Sequence, residues 1–227
     1  MSTRIEAPAT RARTAWLVVG AVLTTATIVV GSATAGLWLA RQSETRSHTY
    51  QLPTTPILLD LPDVDVAIMT GESGTLTVQQ QLTWATSKPE VEQSWDGHAL
   101  RVSVECPSLP IGPSCGVDYL VRVPPGLAVE VRATTGDVRG TDLHPADLVV
   151  RTRTGDVDLR FTVAPRRLEV ETGSGDVDLM VPAADSYRVQ SDAEQSDIDV
   201  PQDPTAPHSI TVRTDDGSLS IRPSEQS

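Results

Sequence analysis

The sequence predicts an all-β chain: a single-domain β-solenoid with coils of about 20 residues, preceded by one N-terminal transmembrane helix. Three observations predict it. Gly-Asp-Val recurs in "ATTGDVRG" (133–140), "TRTGDVDLRF" (152–161) and "TGSGDVDLMV" (172–181). Each copy follows an alternating apolar/polar stretch, such as "LVVRTR" or "LEVET", the period of a strand with one buried face. Upstream, Ala15 to Ala40 carries no charged residue.

Taken in order, residues 1–14 form a short tail bearing Arg4, Arg11 and Arg13. Residues 15–40 are long enough to cross a bilayer, which needs about 20 apolar residues. Trp16 and Trp38 lie at its two ends, roughly 33 Å apart along a helix, matching the two interfaces where tryptophan is favoured. The arginine bias places the N-terminus inside and the body outside the cell membrane. The competing reading is a signal peptide cleaved after Ala33-Thr34-Ala35. Leu37, Trp38 and Leu39 prolong the apolar run past that site, so an uncleaved anchor is the expectation. Residues 41–55 read as a linker, 56–223 as the solenoid and 224–227 as a tail.

Net charge is -12. With five Arg and two Glu in residues 1–46, the remainder is more acidic still. No basic stripe exists to displace counterions from phosphates, which excludes a nucleic-acid-binding class. Aromatics make up only 4% and Phe161 is the single phenylalanine, so small β-forming residues must fill the core. Cys106 and Cys115 enclose "PSLPIGPS". In an exported chain such a pair reads as a structural disulfide, stabilising by about 2.5 to 3 kcal/mol. Cys-x-x-Cys is absent, and His48, His98, His144 and His208 are scattered.

Within the body, Val138, Val157, Val177, Ile198 and Leu219 recur at 19 to 21 residues. The turn before each contains Gly136-Asp137, Gly155-Asp156, Gly175-Asp176, Asp197 or Gly217. Leu76 and Leu100 continue the register upstream. Glycine allows positive φ at such turns, and aspartate can accept backbone N–H bonds there. One strand-turn-strand unit cannot bury its apolar face alone, and stacked copies can. An antiparallel meander or sandwich of hairpins is the alternative architecture. Trp84 and Trp95, in "TWATSKPEVEQSWDG", are expected in a long hairpin capping the first coils, because a bare solenoid end exposes core and strand edges; a ligand platform is the weaker reading.

The anchor, then "CPSLPIGPSCGVDYLVRVPPG", then serial "TGDV" units, together resemble the bacterial putative-adhesin family. The resemblance spans roughly residues 48 to 222. It implies a β-solenoid on the outer side of a bacterial membrane and carries over no catalytic residue; function in that family is not settled.

Two aspartate columns are expected: Asp137, Asp156, Asp176 and Asp197 at the corner, and Asp158, Asp178 and Asp199 pointing outward. Corner carboxylates are expected to bind their own turn's N–H groups. Calcium along the column is the weaker reading, since calcium β-rolls repeat every nine residues. Paired carboxylates come with the repeat and so do not point to a glycosidase; no nucleophile elbow, zinc-helix motif or phosphate loop occurs. No catalytic, metal or cofactor residues are assigned. The reading is a non-enzymatic, membrane-anchored domain binding an envelope component or surface partner. The alternatives are an envelope-stress sensor and a carbohydrate-active enzyme.

Overall fold

The computed structural model describes residues 42–52, 56–85, 87–106, 115–183 and 185–224. The segment read as tail and anchor, 1–40, lies outside the described residues. Among those described, no helix is long and apolar enough to cross a membrane.

Seventeen strands are present among the described residues: β1 (Gln42–Gln51), β2 (Ile57–Asp60), β3 (Asp65–Thr70), β4 (Thr75–Trp84), β5 (Glu90–Trp95), β6 (Ala99–Glu105), β7 (Cys115–Val123), β8 (Ala128–Arg132), β9 (Val138–Leu143), β10 (Asp147–Thr154), β11 (Val157–Phe161), β12 (Arg167–Ser174), β13 (Val177–Pro182), β14 (Tyr187–Asp192), β15 (Gln195–Ile198), β16 (His208–Asp216) and β17 (Ser218–Ser224). They form two sheets. One has nine strands in the order β1-β4-β7-β3-β9-β11-β13-β17-β15; the other has eight, β5-β6-β2-β8-β10-β12-β16-β14. Each coil contributes one strand to each sheet, and the pairing between coils is parallel from β6–β7 through β14–β15. The fold is therefore β-solenoid-like. The hairpin sandwich is excluded, because the two strands flanking each Gly-Asp turn lie in different sheets.

The core is the space between the sheets. Val66, Val138, Val157, Val177 and Leu219 occupy one register row of the nine-stranded sheet, and all are 2% exposed or less. Facing them, Leu59, Val131, Val150, Val170 and Val212 form a row in the eight-stranded sheet and are equally buried. Side chains of one size at one register position can fill a narrow interior, coil after coil. Gly140 breaks the row beside it because a Cβ there would lie 2.5 Å from the Leu143 side chain and 2.8 Å from that of Leu159.

Several sequence expectations need correction. Ile198 does not sit beside Val177: β13 pairs with β17, so Leu219 does, and Ile198 faces Ile221 at the outer edge. The last coils are thus stacked out of chain order. Leu100 belongs to the other sheet, opposite Leu59, and Leu76 lies on β4, which runs antiparallel to β7. The Trp84/Trp95 segment is not a hairpin. Its strands β4 and β5 sit in separate sheets and close the end as a coil of reversed direction, antiparallel to β7 and β6. Tyr50 packs on Trp95 at 5.4 Å there. The stretch expected to be a linker contains β1, which joins the sheet beside β4. The Cys106–Cys115 disulfide is present, with Cα atoms 5.9 Å apart, and it joins the end of β6 to the start of β7.

Val157 and Val177 point inward, whereas Asp158 and Asp178 are half-exposed on the outer face. Val177→Asp places a carboxylate between coils with no partner, a cost of several kcal/mol, and should abolish cooperative thermal unfolding. Asp178→Asn removes a surface pair with Arg222 and should cost at most about 1 kcal/mol. Circular-dichroism melts of the two variants check the register, since a one-residue slip would reverse the result.

Candidate functional site: the aspartate corner

The Gly-Asp turns of successive coils lie on top of one another along one edge of the solenoid. Gly136, Gly155, Gly175 and Gly217 have φ of 126°, 145°, 146° and 154°. A Cβ on Gly155 would lie 2.1 Å from the Gly136 carbonyl oxygen; on Gly175, 2.2 Å from that of Gly155; on Gly217, 2.1 Å from that of Gly175. Glycine is thus required twice over, for backbone conformation and for the approach of the neighbouring coil. The stacked carbonyls also receive threonine hydroxyls from inside: Thr172 donates to Gly155 O at 3.4 Å and Thr214 to Gly175 O at 3.1 Å. This explains why Thr172 and Thr214 are buried without being unsatisfied.

The aspartates that follow form a ladder. Asp65 Oδ1 accepts the Asp137 N–H at 2.8 Å, Asp137 Oδ1 that of Asp156 at 3.1 Å, and Asp156 Oδ1 that of Asp176 at 2.9 Å. Asp176 Oδ1 ends the run on the Ser218 N–H and hydroxyl, both at 2.8 Å. The expectation that each carboxylate serves its own turn is corrected: each binds the next coil. Ser218 N–H, then its hydroxyl, hold the Asp176 carboxyl below the usual aspartate range. Asp197 is absent from the ladder. It lies within β15 opposite Ser220, in the row of Asp158 and Asp178. Sequence reasoning missed Asp65, the first rung, although "DVDV" at 63–66 repeats the Asp-Val signature of the later turns.

Where the ladder begins, the glycine corner is lacking, and a shallow cleft of about 260 Å³ opens between coils. Asp63, Asp65 and Asp118 line it with the backbone of Gly116, Thr135 and Gly136. Thr135 donates to Asp63 at 2.8 Å. Burial, and then the neighbouring charge of Asp65, raise the Asp118 carboxyl. Among the described residues no group of three or more His, Cys, Asp or Glu is arranged to hold a metal ion.

The outer faces differ. On the eight-stranded sheet Arg151 bonds Glu130 and Glu169, each at 2.8 Å, and reaches Glu171 at 3.4 Å. Arg132 and Arg167 bind the same Glu130 and Glu169. That face is cross-linked across three coils. On the nine-stranded sheet Ala67 lies between Leu120 and Arg139, and Met69 between Arg122 and Thr141. Further along, Met180 lies between Arg160 and Arg222. Leu120, Ala67, Met69 and Met180 are all half-buried there.

Residues 127–222 match the Toastrack DUF4097 family model. This segment, under half of the chain, is similar to that family. It contains the whole run of Gly-Asp corners, while β1 to β7 precede the match. The chain is similar to a putative cell adhesion protein from Clostridium sporogenes, at 13% identity and a TM-score of 0.52, over 80% of this chain and 100% of that one. It is also similar to a putative adhesin from Bacteroides fragilis, at 12% identity and a TM-score of 0.35, over 80% and 97%. At such identity the first likeness speaks for the fold alone. No curated protein matches the chain.

The glycine-aspartate corner yields two sets of outcomes. Gly155→Ala should destabilise by at least about 2 kcal/mol, from positive φ and the clash with Gly136. Asp156→Ala should cost about 1 kcal/mol by leaving the Asp176 N–H unbonded, and Asp156→Asn, which keeps an acceptor oxygen, clearly less. Urea titrations rank the three. For pH, the Asp176 contribution is present in full above the unfolded value near about 3.9 and is lost as pH falls through the lower folded value. Asp176→Asn should therefore flatten the acid decline of the melting temperature. Asp118 has the opposite sign, its charge opposing folding at neutral pH, so Asp118→Asn should raise the melting temperature at pH 7.

Proposed function

We propose that this protein is a non-enzymatic, adhesin-like binding domain, anchored in the cell membrane by residues 15–40 with its body outside. It engages an envelope component or surface partner through the outer face of the nine-stranded sheet. The observation carrying this reading is the contrast between the two faces. The charges of the eight-stranded face are already satisfied around Arg151. The other differs in carrying the half-buried apolar side chains of Leu120, Ala67, Met69 and Met180 beside arginines, of which Arg139, Arg160 and Arg222 are likewise paired, with Asp137, Asp158 and Asp178. Methionine and arginine are enriched at protein interfaces, and methionine adapts its shape to a partner. The corner carboxylates are occupied by backbone N–H groups, which argues for a structural use of the aspartates rather than acid–base chemistry. The Cys106–Cys115 bond suits an oxidising compartment, in keeping with export.

The paired substitution Met69→Asp and Met180→Asp leaves the core untouched and should preserve the melting temperature to within a few degrees. It should weaken binding of the full-length protein to isolated cell envelopes at least tenfold. Undiminished binding would remove this face from consideration. Protease added to intact cells should digest the body, and a protected body would overturn the proposed orientation.

A further inference from the structure

The final two coils are assembled in the reverse of their order along the chain. After β12–β13 the chain forms β14–β15 at the outer end, and then β16–β17 enters between the two. The intercalated coil is paired on both edges. Leu168 faces Ile210, which faces Val189; Leu179 faces Ile221, which faces Ile198. Ile210, Val212, Leu219 and Ile221 are at most 1% exposed. The corner ladder runs through this coil as well, from Asp176 to Ser218. In contrast, among the described residues β14 pairs with one strand, β16, and β15 with one strand, β17. The end coil is therefore paired to the rest of the sheets through the insert, with one further tie where the Tyr187 hydroxyl donates to Pro182 O of β13 at 2.9 Å.

This order makes two connections cross. The chain leaves β13 at Pro182 and re-enters the sheets at Tyr187 of β14, two layers on, and residues 199–207 step back one layer from β15 to β16. The second connection is longer than its counterparts 144–146, 162–166 and 183–186. It is fastened at the crossing by Tyr187, whose N–H donates to Pro201 O and whose carbonyl accepts from the Asp203 N–H, both at 2.9 Å. Crossed connections on one side of a sheet are rare in folded chains. Nine extended residues reach about 30 Å, enough to lead the coil into a neighbouring molecule. There it would meet the same side chains at the same register, and exchange of an identical element makes or breaks few contacts.

We propose that the slot between β12–β13 and β14–β15 accepts coil β16–β17 from a second copy of this chain, so that two copies exchange this coil. A coil arriving from another copy fills the slot without its linker crossing a connection of its own chain.

Glu171 and Arg213 are exposed partners across β12 and β16, whereas Arg132 lies in the same row two coils further away. Two full-length chains, one carrying Glu171→Cys and the other Arg213→Cys, should be co-expressed with export intact and run without reduction. A disulfide-linked heterodimer several-fold above that of the Arg132→Cys and Arg213→Cys pair is expected, because register partners in adjacent strands fall within disulfide reach. Equal or absent linkage in both pairs would overturn the proposal.

Discussion

Adjacent strands of a sheet lie about 4.8 Å apart, and that spacing governs the corner at which each coil turns from one sheet to the other. A turn that must repeat at this distance has no room for side chains directed along the stack. Gly155 and Gly175 each face the carbonyl of the previous glycine at a separation that a methyl group cannot share. The carbonyls that come so close must still be bonded, because buried acceptors without donors are costly. The inward hydroxyls of Thr172 and Thr214 meet that need at Gly155 and Gly175. Glycine, aspartate, valine and threonine at these turns thus answer one geometric demand through four different properties: no side chain, a short acceptor, an apolar filler and an inward donor.

The same spacing brings carboxylates together. Unit charges about 5 Å apart repel by less than 1 kcal/mol in water and by roughly 3 kcal/mol at an intermediate effective dielectric. The ladder stays near the lower limit because the aspartates face solvent. Each also gains a charge-assisted bond to the next coil's N–H, about twice as strong as a neutral one, and Arg139 neutralises Asp137 at 2.6 Å. Repulsion between rungs is thereby smaller than the bonding that joins them. A charged column becomes a vertical tie between coils, and no metal ion is needed to account for it.

The repeating middle of the molecule was legible in the sequence. The period of Val138, Val157 and Val177 indicated both the stacking and the inward face, because a coil of constant length returns each residue to the same position. The ends were less legible, for a physical reason. Spacing along the chain reports coil length but not the order in which coils are laid down. The intervals from Val177 to Ile198 and from Ile198 to Leu219 are normal, yet Leu219 takes the place beside Val177. The reversed coil β4–β5 likewise keeps strand-like alternation, which reads the same in either direction. The ladder was half legible: aspartate after glycine pointed to a bonded turn, but residue spacing could not distinguish bonding within a coil from bonding between coils.

The two ends solve the problem of exposed edges in different ways. At one end the sheets finish in β1 and in the reversed coil, with Tyr50, Trp84 and Trp95 packed against the core. At the other they finish in two short strands, "YRVQSD" and "QSDI". Their alternation is mostly polar, and Asp192, Glu194, Asp197 and Asp199 give that edge a negative charge. A second solenoid approaching end to end with the same edge would meet like charges, so simple stacking of copies through this end is disfavoured. Pairing that keeps the acidic coil outermost, with β16–β17 inside it, meets no such repulsion. The charge of the last coil and the inverted order of the last two therefore act in the same direction, closing the stack to addition while leaving its penultimate layer as the one where strands of equal register can be interchanged.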